Sequence, residues 1–141
     1  MTLPSGEAFA VPPNLYVIGT MNTADKSIAL LDVALRRRFA FVPVYPDYQL
    51  IPEFKSVLGP LNEQIRERKG VDFLIGHSYF LNRTLADLPE IFNQMIIPLL
   101  HEYFNGRTDT IREILRGSGL DVTEENYQLK ASLPPLYRRE G

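Results

Sequence analysis

Cysteine and tryptophan are both missing from these 141 residues. Without thiols the chain can build no disulfide, no thiolate metal site and no cysteine nucleophile, and a reducing cytoplasm suits it. Histidine is scarce: His77 and His101 are the two in the chain. No metal-ligand spacing links them, and "HEYF" at 101–104 lacks the second histidine of an HExxH zinc site, so no metal centre is expected. No apolar run approaches the roughly 20 residues of a membrane span. The opening "MTLPSGEAFAVPP" has neither the basic start nor the long apolar core of a signal peptide. A soluble intracellular protein is the expectation. Net charge is −2, with acids and bases interspersed, so the basic footprint of an autonomous nucleic-acid binder is missing too. A serine nucleophile elbow and a Gly-rich phosphate loop are likewise absent.

What is present falls into two halves. After an irregular lead-in over residues 1–13, "NLYVIGT" (14–20) is a short apolar run with a β-branched centre, the pattern of a strand covered on both faces. A polar break follows, in which Asp25 or Ser27 can cap a helix whose apolar face carries Ile28, Leu31 and Leu35 and closes at Phe39. "FAFVPVYP" (39–46) holds Pro43 and Pro46 and suits an edge or terminal strand. Such strands need neighbours and helices on both sides, which the rest of the chain does not offer. The chain therefore reads as the back half of a larger fold.

From Asp47 the pattern turns helical. "PEFKSVLG" and "LNEQIRERKG" read as two helices, each ending in glycine, and "VDFLIGHSYF" as an apolar segment interrupted by Gly76. "DLPEIFNQMIIPLLHEYF" carries the strongest helical period. Asp87 can cap it, Ile91, Met95, Leu99 and Tyr103 line one face with Phe92, Ile96 and Leu100 widening it, and Pro98 should kink or split it. A short helix from Thr108 or Asp109 to about Arg116 ends at Gly117. Residues 121–141 read as a loosely held tail with one short helix.

The chemistry-bearing candidates are few. Asn22 stands just beyond the end of the first strand, where open α/β folds bind ligands, and it can orient a water or a phosphate there. The same residue types equally form a turn that caps the next helix. Arg36, Arg37 and Arg38 fan around a helix end about 100° apart, so at most one or two can meet a single ligand. Guanidinium forks match phosphate oxygens, yet cations at a helix C-terminus are favourable without any ligand, by about 0.3–1 kcal/mol each. His77, flanked by Gly76 and Ser78, can reach a bound nucleotide or be a hydrogen-bonded structural residue.

Taken in order, "NLYVIGTMNTADKSIALLDVALRRRFAF", "IGHSYF" and "IIPLLHEYF" resemble the C-terminal half of the AAA+ module of McrB-type proteins, the GTPase subunits of modified-cytosine-dependent restriction systems. The likeness runs from about Pro13 to about Leu115. It implies an α/β part, the last two strands of an αβα P-loop NTPase core over 14–46, followed by an all-α lid over 47–120 and a tail over 121–141, mainly helical overall. It implies Asn22 as the sensor 1 residue that places the attacking water. Arg37 and Arg38, with Arg36 behind them, become the arginine finger that reaches a neighbouring subunit's site. Gly76, His77 and Ser78 would line the nucleotide.

"NTAD" at 22–25 also resembles the N-K-x-D guanine motif, which makes Asp25 a nucleotide-binding candidate. Thr23 stands in place of the lysine, however, and the segment occupies the sensor 1 position. The implied cofactor is GTP or ATP with Mg²⁺, and the implied partners are neighbouring ring subunits and a McrC-like endonuclease, with DNA met only through parts not in these residues. The Walker A loop and Walker B acids of such a protein do not occur here, so the chain alone is expected to hydrolyse nothing. The alternatives are a non-catalytic module that docks into AAA+ rings, and part of a MoxR-like AAA+ chaperone.

Overall fold

The computed structural model describes residues 5–6, 10–22, 24, 37–126 and 128–133. The expected helix after Asn22 falls mostly on residues 25–36, outside the described residues.

Residues 14–20 and 39–46 form no strand. Their side chains stand in solvent, with Ile18 94 % and Val44 87 % exposed. The α/β expectation for these two runs is therefore not met within this chain. A strand's backbone donors and acceptors need a neighbouring strand, and among the described residues the only sheet is the two-stranded one near their C-terminal end.

The folded body begins near Tyr48. A 3-10 turn, Pro52–Phe54, leads into α1, Lys55–Lys69. Gly59 and Pro60 do not divide this segment into the two helices expected from sequence. Proline in a helix interior costs about 3 kcal/mol, partly through the carbonyl it leaves without a donor. Here that carbonyl belongs to exposed Ser56, where water can serve it. Burial of Val57, Leu58, Leu61 and Ile65 on one face, at about 1.5–3 kcal/mol each, outweighs the cost. The helix stops at Gly70, whose φ of 98° and ψ of 176° suit glycine alone.

Short 3-10 turns, Val71–Phe73, His77–Phe80 and Leu85–Asp87, then carry the chain to its longest helical run. Asp87 does not cap that run from in front. Its carboxylate reaches back and accepts from the Thr84 backbone N–H at 2.7 Å and the Thr84 hydroxyl at 3.0 Å. These bonds hold the Asp87 carboxyl below its ordinary 3.8. A depressed pKa in the folded state contributes stability above pH 3.8 that is lost as pH falls through the lower folded value. Asp87→Asn should therefore flatten the acid limb of the melting-temperature profile below about pH 4; an unchanged acid limb would show that other carboxylates set it.

The run is α2, Leu88–Ile91, then a π-helical segment, Phe92–Ile96, then α3, Ile97–Tyr103. The Ile97 N–H donates to the Phe92 carbonyl, five residues back. The departure from α geometry lies directly upstream of Pro98, as its missing donor and bulky ring require. It also shifts the buried face by one residue. Met95 is 37 % exposed, while Ile91, Phe92, Ile96, Leu100 and Phe104 are buried.

The closing helix α4, Thr108–Gly117, packs Ile111, Ile114 and Leu115 inward. It lies so close to α1 that a Cβ at Gly117 would stand 1.8 Å from the Gln64 amide nitrogen. Where a loose tail with a short helix was expected, β1, Asp121–Glu125, and β2, Gln128–Ser132, pair antiparallel with Val122 opposite Ala131. Asn126, at φ 51°, supplies the positive φ that tight hairpin loops need. Leu129 and Ala131 point into the core. Asn93, in the π segment, seals the outer edge of β2: it accepts from the Ala131 N–H at 2.8 Å and donates to the Ala131 carbonyl at 3.1 Å.

Candidate functional site

The candidates separate into two groups. Asn22 is exposed and its Oδ1 accepts the Ala24 N–H at 3.1 Å, the local turn that its residue type favours. Arg37 and Arg38 are exposed in a turn. Asp25 and Arg36 lie outside the described residues. Among the described residues, no hydrogen bond or ion pair joins Asn22, Arg37 or Arg38 to the 76–78 segment.

Gly76, His77 and Ser78 sit on the folded body, and their placement begins one residue earlier. Asn62 faces inward from α1 and is 2 % exposed. Its Oδ1 accepts the Ile75 N–H at 2.7 Å, and its Nδ2 donates to the Ile75 carbonyl at 3.0 Å and to the Tyr48 hydroxyl at 3.1 Å. One side chain thereby satisfies both backbone groups of buried Ile75, as a neighbouring strand would. Gly76 continues in extended conformation, with φ −71° and ψ 152°, as the residue before the His77–Phe80 turn. That φ is open to any residue, and an added Cβ would meet the Ser78 hydroxyl at 3.5 Å and the Ser78 backbone nitrogen at 4.0 Å, both ordinary contacts. Its glycine is not demanded by the backbone here.

His77 is half-buried, and its Nδ1 accepts the Asp47 N–H at 3.0 Å. Asp47 in turn folds its carboxylate onto the Gln49 N–H at 2.9 Å. Below the turn Phe80 is buried, its ring 5.1 Å from Phe54 and 6.3 Å from Phe92. The 76–78 segment is thus held from below by an aromatic stack, from one side by Asn62 and from the other by Asp47. Sequence reasoning missed Asn62, Tyr48 and Asp47. The available signal was a polar residue at 62 on the same helical face as Val57, Leu58, Leu61 and Ile65.

The outward donors here are the His77 Nε2–H and the exposed Ser78 hydroxyl, and elsewhere the Arg37 and Arg38 guanidinium groups. Each group of this set can donate to an acceptor oxygen or a ring nitrogen. The set does not fit a metal: among the described residues no group of three or more His, Cys, Asp or Glu could hold one. A shallow cleft of about 200 Å³ lies at the far end of the turn, between Leu50, Phe54, Phe80 and Arg83. No helix among the described residues is long and apolar enough to cross a membrane.

Residues 53–112 match the family described as McrB, alpha-helical lid domain. The chain is also similar to the Type IV methyl-directed restriction enzyme EcoKMcrB subunit of Escherichia coli (strain K12), with 40 % identity over an aligned length of 125 residues. That alignment covers 70 % of this chain and 27 % of the relative, so the chain spans about a quarter of the length of the curated relative it matches. The matched residues run from the 3-10 turn before α1 into the first half of α4 and include Asn62 and Phe80. Residues 53–112 of this chain are thus a McrB-type helical lid, and the β1–β2 hairpin lies beyond the matched residues.

Proposed function

We propose that this chain supplies the sensor 1 residue, the trans arginine fingers and the lid of a McrB-like AAA+ NTPase whose nucleotide hydrolysis drives a restriction endonuclease complex in the cytoplasm. The observation that carries this reading is the lid match over 53–112, preceded in the same chain by "MNTAD" and "ALRRRF". In the complete protein, GTP or ATP with Mg²⁺ is the cofactor, with the Mg²⁺ ligands outside this chain, and the partners are adjacent ring subunits and a McrC-like endonuclease.

Each residue has a task. Asn22 orients the attacking water by its side-chain amide. Arg37 and Arg38 neutralise charge growing on the transferred phosphoryl group in the next subunit. Gly76, His77 and Ser78 line the nucleotide from the lid, and Asp25 stands close in sequence to Asn22 as a secondary contact. The domain limits that go with this reading are an NTPase-core part over 14–46, a lid over 47–120 and a C-terminal segment over 121–141.

The chain by itself is expected to turn over neither GTP nor ATP above the buffer rate, because its 141 residues contain no P-loop to cradle the phosphates. A phosphate-release assay on the pure chain checks this. Turnover that disappears in Asn22→Ala or Arg38→Ala would refute it.

A further inference from the structure

The His77 ring is held in one tautomer by groups that lie outside the 76–78 segment. The Asp47 backbone N–H can only donate, so the His77 Nδ1 it meets at 3.0 Å must be the lone-pair nitrogen. The neutral ring then carries its proton on Nε2. That nitrogen has no partner among the described residues and is free to donate outward.

The ring can meet Asp47 only if the backbone at 75–77 and the segment at 47–48 both stay in place. Asn62 fixes both at once. It bonds Ile75 through both backbone groups, two residues before His77, and Tyr48 through its hydroxyl, one residue after Asp47. A side chain 2 % exposed with all these partners has a defined rotamer, and its removal would leave the Ile75 N–H and carbonyl buried without partners.

We propose that Asn62 is a positioning residue that sets the His77 tautomer, so that His77 Nε2–H is presented as a hydrogen-bond donor to an acceptor atom of the bound nucleotide. The reading of 76–78 as nucleotide-facing belongs to the proposed function, on which the last clause rests. The brace and the tautomer stand on the geometry alone. The arrangement makes His77 a selector of acceptors: it can serve a phosphate oxygen or a ring nitrogen lone pair and repels a donor placed there.

The test uses the chain itself. Long-range proton–nitrogen NMR correlation of the side-chain imidazoles at neutral pH distinguishes a protonated from a lone-pair ring nitrogen. In the unmodified chain His77 should show a single Nε2–H tautomer, while half-buried His101, the other histidine, serves as an internal reference. Asn62→Ser, which replaces the amide with a shorter hydroxyl and breaks the paired contact with Ile75, should convert His77 to a mixture of tautomers, with the methyl spectrum of the core retained.

Tyr48→Phe removes only one bond of the brace and is the milder variant should Asn62→Ser not fold. It should shift the His77 population partway and leave the fold unchanged. A His77 that is Nδ1–H in the unmodified chain, or one that stays wholly Nε2–H in a folded Asn62→Ser or, where Asn62→Ser does not fold, in Tyr48→Phe, would overturn the proposal. None of these readings needs nucleotide. A defect in the proposed function instead appears as unchanged nucleotide affinity when His77→Phe is made in the complete protein, and the two failures are distinguishable.

Discussion

Arg37→Ala and Arg38→Ala, introduced singly into the complete protein in its proposed ring, are expected to differ in size of effect. Both should lower turnover, the one whose fork meets the γ-phosphate squarely by about 10³-fold to 10⁵-fold and the other by less. Nucleotide affinity should stay within a few fold for both. The asymmetry follows from geometry, because neighbouring residues of a helix end or turn point in different directions and a single γ-phosphate can meet only one fork squarely.

Both side chains are exposed and in a turn, and neither is committed to an ion pair among the described residues. Each is therefore available to a neighbouring subunit. Lysine should not restore the rate, since a point charge lacks the planar pair of donors that grips two oxygens together. Turnover and equilibrium binding measured on the same assembled variants decide the matter. If affinity collapses along with rate, the arginines hold nucleotide within their own subunit and the trans role is wrong.

Phe80→Ala should unfold the lid, or bring it close to unfolding. Phe80 is 1 % exposed and stacked between Phe54 and Phe92, so its ring joins the first 3-10 turn to the long helical run. Losing a buried phenyl costs about 3–5 kcal/mol through lost transfer energy and the void that remains, a large part of the total stability of a domain this size. Phe80→Leu refills most of the volume and should cost about 1.5 kcal/mol or less. Val44→Ala, at a side chain 87 % exposed, should stay within about 0.5 kcal/mol. Urea denaturation followed by far-ultraviolet circular dichroism would order the three. A Phe80→Ala midpoint equal to that of Val44→Ala would mean that the aromatic stack is not the keystone of this body.

How far the sequence revealed this arrangement depended on whether local signals agreed with tertiary ones. The helix Thr108–Gly117 was legible because its apolar period and terminal glycine point the same way. Around Gly59 and Pro60 the breaker signals are strong, yet a continuous buried face overrides them. For the long helix the period was legible, with Phe92, Ile96 and Leu100 already on the widened apolar face, but not which row lies deepest, since Met95 turns outward in the π segment upstream of Pro98.

The hairpin at 121–132 was missed because its alternation is short and its inward residues, Leu129 and Ala131, read as unremarkable in a charged stretch. At the candidate site, the motif residues were legible only through resemblance. The parts that hold them were not, because Asn62, Ile75 and Tyr48 meet across sequence gaps that no periodicity crosses.

The π segment carries a further meaning for chain length. Its i→i−5 bond, from the Ile97 N–H to the Phe92 carbonyl, encloses one residue more than an α-turn would. The surplus is absorbed within that turn, so the flanking helices Leu88–Ile91 and Ile97–Tyr103 both keep their footing in the core. A relative shorter by one residue here can run α-helical throughout and still offer equivalent apolar positions on either side. It would forgo the rotation that aims Asn93 at β2, so a one-residue gap at 92–96 and the loss of that asparagine should be inherited together.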